Sequence, residues 1–248
     1  MAPRIPVHVL PLRRLYLFPA IAGASWFVTL AAMLLTWVAK GCPTYPGQRN
    51  PYIAFISDLG AFELKPLFLI GGILTASCFM ATMVVVQLAR YDHRMYGMKD
   101  AIWKQWVSVV AMASGVVAGL GLILLTILDT FRFHEEHAVL LLVTFLGLVS
   151  TMVLTTVVYW DQTWKPSPFR SLRACCITSV VIVLVDFVLG VAFYTLMQLS
   201  FWRTSGILEW FMAFTGAFYL WSFVGFVRVP EEGIDASERE ALLQTDRT

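Results

Sequence analysis

Six long apolar runs, separated by short polar segments, set the pattern of the whole chain. Each run has 20 residues or more, and roughly 20 apolar residues in a helix are enough to cross the hydrocarbon core of a bilayer. Because short loops favour antiparallel neighbours, the pattern predicts an all-α membrane protein with six transmembrane helices in an antiparallel bundle. The predicted spans are approximately residues 15–38, 67–88, 107–128, 138–160, 177–197 and 207–227.

The lysine and arginine residues are divided unequally between the two sides of the predicted membrane. Thirteen of the 18 lie on the side that carries both chain ends, and five lie in the loops on the other side. Because cytoplasmic loops carry an excess of Lys and Arg, we expect residues 1–14 to be a cytoplasmic segment. Residues 228–248 are expected to form a mobile cytoplasmic tail. We call the opposite end of the bundle the outer end.

The composition agrees with a membrane environment and excludes several classes of protein. Hydrophobic residues make up 58% of the chain and charged residues 14%, whereas soluble domains carry about 25% charged residues. A net charge of +2, without a clustered basic face, argues against nucleic-acid binding. The four cysteines have no metal-type spacing, and we expect neither a metal nor a cofactor.

Polar residues collect in the loops of the outer end and at the helix edges beside them. One interpretation is an ion-paired cap that closes the bundle, with Arg132 or Arg203 as the cation. A second is recognition of a lipid headgroup or of a loop from a partner. A third is hydrolytic or metal chemistry, since two histidines spaced i and i+3 share a helical face. The residues concerned are Asp58, Asp129, Arg132, His134, His137 and Glu209.

Asp186 lies near the middle of the fifth span, where an ionisable side chain costs about 2.5–3.5 kcal/mol on insertion scales. We therefore expect it to face the bundle. One interpretation is a proton or ligand site of a small transporter. The other is a carboxyl group that is hydrogen-bonded to a neighbouring helix. The candidate partners on the fourth span are Ser150, Thr151, Thr155 and Thr156.

Three shorter features carry further hypotheses. Gly115 and Gly119 form a GxxxG pattern, which serves either packing within the chain or homodimerisation. Cys175 and Cys176, at the cytoplasmic edge of the fifth span, are candidates for S-palmitoylation. The tail contains an acidic residue before a Leu-Leu pair, which is typical of an endosomal or vacuolar sorting signal. The residues of this signal are Glu238, Leu242 and Leu243.

The segments PYIAFISDLGA, RFHEEHAVLLLVTFLGLV and SGILEWFMAFTGAFYLWSF resemble the DRAM-like family, in this order and across nearly the whole chain. That family contains damage-regulated autophagy modulators, FRAG-type GPI-lipid remodelling proteins and SFK-type plasma-membrane proteins tied to phosphatidylinositol 4-kinase. The resemblance implies six helices and cytoplasmic termini, and its ISDLGA form is closer to the DRAM and SFK branches. The positions that match are Ser57, Asp58, Gly60, His134, His137 and Glu209.

Together these observations favour a non-enzymatic integral membrane protein that organises lipids or a phosphoinositide-kinase-type complex, or that modulates autophagic or endolysosomal membranes. Its expected partners are membrane lipids and a peripheral lipid kinase or its scaffold at the cytoplasmic face. The expected location is the plasma membrane or an endosomal or vacuolar membrane, with Golgi and ER as alternatives. A lipid-remodelling enzyme of GPI-anchor type, using Asp58, His134, His137 and Glu209, is the first alternative function. A transporter that uses Asp186 is the second, and the oligomeric state is left open.

Overall fold

The structure is a computed structural model that describes residues 14–48, 50–92, 95–164 and 170–228, without the side chain of Arg170. These residues contain helices and no strand. The helices are α1 (Leu17–Ala39), α2 (Ile56–Leu59), α3 (Lys65–Tyr91), α4 (Ile102–Ile127), α5 (His134–Val158), α6 (Trp160–Trp164), α7 (Arg170–Gln198), α8 (Trp202–Ser222) and α9 (Val224–Val227).

Six of these helices are long and apolar enough to cross a membrane. These helices have 21 to 29 residues and extend for about 32–44 Å at 1.5 Å per residue. Each predicted span overlaps one of them, and the sixth continues from α8 through α9, which confirms the all-α, six-span architecture. The helices α3 and α4 begin before their predicted spans because interfacial residues continue the helix beyond the hydrocarbon-length run. The orientation of the bundle in the membrane stays a prediction. The end where α1 begins and α8 ends is named the cytoplasmic end after that prediction, and the opposite end is the outer end.

The long helices follow one another around the bundle in the order α5, α4, α3, α1, α8, α7. Neighbours in this order share extensive contacts, whereas α5 and α7, at the two ends of the series, touch only lightly. The first span therefore packs beside the last, and the side of the bundle between α5 and α7 is weakly closed.

The GxxxG pattern on α4 allows a close approach to α3. A Cβ atom added at Gly115 would lie 2.5 Å from Cγ of Met83, and one at Gly119 would lie 2.5 Å from Cγ of Met80. Real Cβ atoms do not come so close to a neighbour, so any larger side chain would push the helices apart. The structure therefore uses both glycines for packing within the chain.

Two apolar cores fill the bundle, one in each half of its length. The cytoplasmic core takes buried residues from all six long helices, including Ala22, Phe79, Ala118, Met152, Cys176 and Tyr219. The outer core is built from α1, α2, α3, α4 and α8, with buried residues that include Leu30, Leu59, Phe68, Leu125 and Trp210. Among the described residues, α7 contributes nothing to the outer core, and α5 contributes only the partly buried Leu140.

A buried ion pair closes the cytoplasmic end. Arg90 is 1% exposed, and its Nε and Nη2 donate to the two carboxylate oxygens of Asp100 at 2.6 and 2.9 Å. Nη2 also donates to the carbonyl of Val158 at 3.1 Å, and the guanidinium lies over the ring of Tyr159. A bidentate, stacked arginine is among the strongest polar contacts that a protein interior offers. It fixes the α3–α4 connection to the end of α5.

Candidate functional site

The first outer loop folds over the end of the bundle and is held there by Asn50, which is fully buried. Its Nδ2 donates to the carbonyl of Trp202 at the start of α8, at 2.6 Å. Its Oδ1 accepts the backbone N–H groups of Tyr52 and Ile53 at 3.0 and 3.2 Å. One side chain therefore shapes the loop and ties it to the last span.

Aromatic rings and a second hydrogen bond extend this attachment across the outer end. Trp210 on α8 donates from Nε1 to the carbonyl of Ala54 at 3.1 Å. The ring of Phe62 stacks on Tyr45 with centroids 5.0 Å apart, and it contacts Phe131 of the α4–α5 loop at 4.9 Å. The first and second outer loops thus form one cap.

Asp129 anchors the α4–α5 loop through an ion pair that reaches α3. Its Oδ2 lies 2.8 Å from Nζ of Lys65, and its Oδ1 accepts the backbone N–H groups of Phe131 and Arg132. Burial opposes ionisation, but the hydrogen bonds from Lys65 and the backbone outweigh it, so the pKa of Asp129 lies below its usual range. The prediction that Arg132 or Arg203 supplies this cation is wrong, because the cation that pairs with Asp129 is Lys65.

The two histidines at the start of α5 have different surroundings. His137 is 4% exposed, and its Nδ1 lies 2.6 Å from the carbonyl of Leu128. Since a carbonyl only accepts, Nδ1 carries the proton, and Nε2 is buried without a partner among the described residues. His134 is exposed, with Nδ1 3.3 Å from the carbonyl of Thr130. The two histidines therefore do not form one site.

Asp58 and Glu209 form a second group of polar side chains. Asp58 is buried in α2, and its Oδ2 accepts the backbone N–H of Phe55 at 3.0 Å. Burial raises the pKa of Asp58, although this hydrogen bond opposes the shift. The carboxylate of Glu209 on α8 interacts with that of Asp58 and with the backbone N–H of Ile56. Its Oε2 is inaccessible to solvent and has no hydrogen-bond partner among the described residues.

The remaining residues of the ISDLGA segment support this second group. Ser57 is half-buried on α2, and Gly60 ends that helix. A Cβ atom at Gly60 would lie 2.5 Å from the ring of Phe68, so the glycine lets α2 rest directly on α3. The close approach explains why this segment holds Asp58 against the bundle rather than in solvent.

The predicted outer cluster therefore divides into two groups. Lys65, Asp129 and His137 gather where α3, the α4–α5 loop and α5 meet, while Asp58 and Glu209 gather between α2 and α8. Within the described part of the chain, no three His, Cys, Asp or Glu side chains are placed to hold a metal ion.

Asp186 on α7 faces its neighbour α8 rather than α5. The hydroxyl of Thr215 donates to Oδ1 of Asp186, and the carboxyl group also interacts electrostatically with the hydroxyl of Tyr219. The expectation of a partner on the fourth span is wrong, because α7 packs along α8 and touches α5 only lightly. Placement toward the bundle agrees with the prediction.

Cys175 and Cys176, the candidates for S-palmitoylation at the cytoplasmic end, are not fully exposed. Cys176 is 2% exposed in the cytoplasmic core, so its thiol is not presented to an acyltransferase in this fold. Cys175 is half-buried against Gly225, and its palmitoylation stays a prediction. The sorting signal of Glu238, Leu242 and Leu243 lies outside the described residues.

Sequence reasoning did not single out Asn50, Lys65 or Asp100. The Asn-Pro dipeptide at residues 50–51 signals a turn, but nothing local indicates that the side chain is buried. Lys65 lies in the polar first outer loop and Arg90 at the edge of a span, and the count of basic residues that predicts orientation does not distinguish a surface charge from a buried one.

Comparison with known proteins agrees with this architecture. The family model of the Frag1/DRAM/Sfk1/Cwh43P N-terminal domain matches residues 14–225. The chain belongs to this family. Frag1/DRAM/Sfk1 membership confirms the resemblance carried by the ISDLGA and ILEW segments and, with the apolar helices, establishes an integral membrane protein.

One relative of this chain is Protein SFK1 of Saccharomyces cerevisiae. It is 39% identical over 56 residues, a segment that covers 22% of this chain and 16% of the yeast protein. No solved structure matches the chain significantly. The Frag1/DRAM/Sfk1 assignment therefore rests on the family model across the bundle, while the yeast protein supports it over a short segment.

Proposed function

We propose that this Frag1/DRAM/Sfk1 protein is a non-enzymatic membrane protein that organises lipids by holding a lipid headgroup at its outer end. The cytoplasmic end would recruit a peripheral lipid kinase or its scaffold, in a phosphoinositide-kinase-type complex, or modulate autophagic or endolysosomal membranes. The plasma membrane or an endosomal or vacuolar membrane is the expected location.

The observation that carries this proposal is the carboxylate pair of Asp58 and Glu209. The two acidic groups interact electrostatically at the outer end of the bundle, and the buried Oε2 of Glu209 has no partner among the described residues. Among the described residues, no lysine or arginine forms an ion pair with either group. Because a buried charge is costly unless it is paired, the arrangement favours a cationic group from outside the chain. The ammonium of a phospholipid headgroup has that charge and is present at that depth.

Lipid that copurifies with the protein tests the proposal. We expect Glu209→Gln, which keeps the shape of the side chain and removes its charge, to lose amine-bearing phospholipid in mass spectrometry of the purified protein. Glu63→Gln is the matched control, because Glu63 lies in the same cap but is 70% exposed. Equal lipid profiles for the two variants would contradict a headgroup site at Glu209.

His137 favours one second candidate, a lipid-remodelling enzyme of GPI-anchor type. Its Nδ1 is held by the carbonyl of Leu128, which leaves Nε2 as an acceptor, and this is the arrangement of a general base. Incubation of the purified protein with a GPI-anchored or diacyl lipid tests it. Product that accumulates with wild-type protein and not with His137→Gln would place the enzyme first, and unchanged lipid would leave the binding role in place.

A further inference from the structure

A small cavity lies in the cytoplasmic half of the bundle, where α3, α4 and α5 meet. Each of these helices contributes to its lining, with Gln87 from α3, Ser108 from α4 and Thr155 from α5 among the residues concerned. The space open to the centre of a water molecule is about 20 Å³, and roughly 10–15 Å³ is enough to hold one molecule. The cavity therefore has room for one water.

Polar side chains border this cavity inside the cytoplasmic core. The hydroxyl of Ser108 is buried and donates to Oε1 of Gln87. Thr155 and Tyr159 also line the cavity, and both are buried. The hydroxyl of Tyr159 is inaccessible to solvent and has no hydrogen-bond partner among the described residues. A buried water needs about 2–4 polar partners, and these side chains offer groups of that kind.

Further buried polar atoms stand at the end of α3, one turn beyond Gln87. Nη1 of Arg90 and the hydroxyl of Tyr91 have no hydrogen-bond partner among the described residues. The hydroxyls of Tyr91 and Tyr159 interact electrostatically. Each such group is costly to bury without a hydrogen bond, and the hydrocarbon around the bundle supplies no water. Because Arg90 and Asp100 neutralise each other, a neutral hydrogen-bonding ligand is favoured over an ion.

We infer that this cavity binds one ordered water molecule, which joins α3, α4 and α5 through the polar groups that border it. The site is separate from the headgroup site at the outer end. A buried water makes about three hydrogen bonds and is costly to remove. The cytoplasmic half is therefore held together by a bridging water as well as by the Arg90–Asp100 pair. The hydrogen-bond partners of the water are drawn from Gln87, Ser108, Thr155 and Tyr159.

Hydroxyl-radical labelling with X-rays tests the water site, on the full chain in nanodiscs with mass spectrometry as the readout. The radicals form from water, so a buried methionine is oxidised quickly only where a water molecule lies beside it. Met83 lines the cavity and is 3% exposed, whereas Met33 is fully buried in the outer core. We expect Met83 to be oxidised several times faster than Met33. Equally slow oxidation of the two residues in the wild-type protein would overturn the site.

Filling the cavity should remove the difference between the two methionines. Ala111 of α4 lines the cavity, and Ala111→Leu adds apolar atoms in the space of the water. Oxidation of Met83 should then fall to the rate of Met33. Val110→Leu is the control, because Val110 is the neighbouring residue of α4 but is 50% exposed, and it should keep the wild-type rate. An unchanged rate at Met83 in folded Ala111→Leu would overturn the site.

A second variant removes a polar partner without adding bulk, and it tests the site even if Ala111→Leu does not fold. Thr155→Val replaces one hydroxyl of the lining by a methyl group, so oxidation of Met83 should slow several-fold. Thr156→Val is the matched control, because the hydroxyl of Thr156 already donates to the carbonyl of Met152 at 2.9 Å. Equal rates at Met83 in the two threonine variants would contradict a water bound among these side chains.

Discussion

The two halves of the bundle differ in which helices form their apolar cores. In the cytoplasmic half all six long helices share one core, and the connection between α3 and α4 is fixed by the buried Arg90–Asp100 pair. In the outer half the core omits α7, and loops rather than helices cover the end of the bundle.

The two halves also differ in how their buried charged side chains are paired. Around Arg90 the carboxylate, a backbone carbonyl and an aromatic ring surround the guanidinium. Burial raises the pKa of Tyr159 to about 12, although Arg90 opposes the shift, so its hydroxyl stays protonated beside the cation. In the outer half no described lysine or arginine forms an ion pair with the buried carboxylate of Glu209. Buried polar atoms without a partner among the described residues occur in both halves, Nη1 of Arg90 and Nε2 of His137 among them. The comparison indicates a rigid base at the cytoplasmic end, fixed by a paired charge, and an outer half in which one buried carboxylate is not paired by the described residues.

The largest effect that would sharpen this comparison is expected at Arg90. Replacing it by Met leaves Asp100 without its cation in a site where the pair is almost completely buried. Breaking such a pair costs about 3–5 kcal/mol, so Arg90→Met should lower the free energy of unfolding by that amount in detergent–SDS titrations.

Lys104→Met is the control for Arg90→Met. Lys104 pairs with Asp161 at the same end, but the carboxylate is 37% exposed, and such pairs contribute about 1 kcal/mol or less. Equal losses for the two variants would show that the cytoplasmic half does not depend on its buried pair.

A smaller effect is expected at the outer end, where Asp129→Asn removes the ion pair with Lys65. The hydrogen bonds of a charged group contribute about 1–3 kcal/mol, so we expect a loss within that range at pH 7. Because the pKa of Asp129 is lowered in the folded state, its stabilisation is present above the unfolded pKa of about 3.9. It disappears as the pH falls through the folded pKa.

Unfolding midpoints of wild type and Asp129→Asn, measured between pH 7 and pH 2.5, check this sign. The two curves should converge at the acidic end. Curves that stay apart at low pH would mean that Asn disturbs the backbone bonds to Phe131 and Arg132 rather than the charge.

Sequence reasoning reached the six spans because hydropathy is a local property, and each span contains enough apolar residues to be recognised alone. It did not reach the partners of the polar residues, because partners depend on the order and rotation of the helices. Asp186 illustrates this: the fourth span offers four hydroxyl-bearing candidates, yet the donor is Thr215, since α7 packs on α8. Lys65 was missed for the same reason, because 64 positions separate it from Asp129.

The smallest effect is expected where the two halves meet, at Asp186. An ionisable group at the centre of a span costs about 2.5–3.5 kcal/mol on insertion scales, whereas an amide still accepts the hydrogen bond of Thr215. Asp186→Asn should therefore leave stability within about 1 kcal/mol of wild type. Loss of proton-coupled flux in this stable variant would instead favour the transporter alternative.

A double-mutant cycle between Asp186→Leu and Thr215→Val isolates the contact itself. Polar pairs between transmembrane helices couple by about 0.6 kcal/mol on average, and we expect a value near this, measured by detergent–SDS unfolding. Thr215 also donates to carbonyls of its own helix, so its hydroxyl keeps a partner when Asp186 is removed and the coupling stays small. A coupling above about 2 kcal/mol would exceed what such pairs supply. It would make Asp186 a support of the boundary between the halves, so that the rigid base would extend further into the membrane than the two cores indicate.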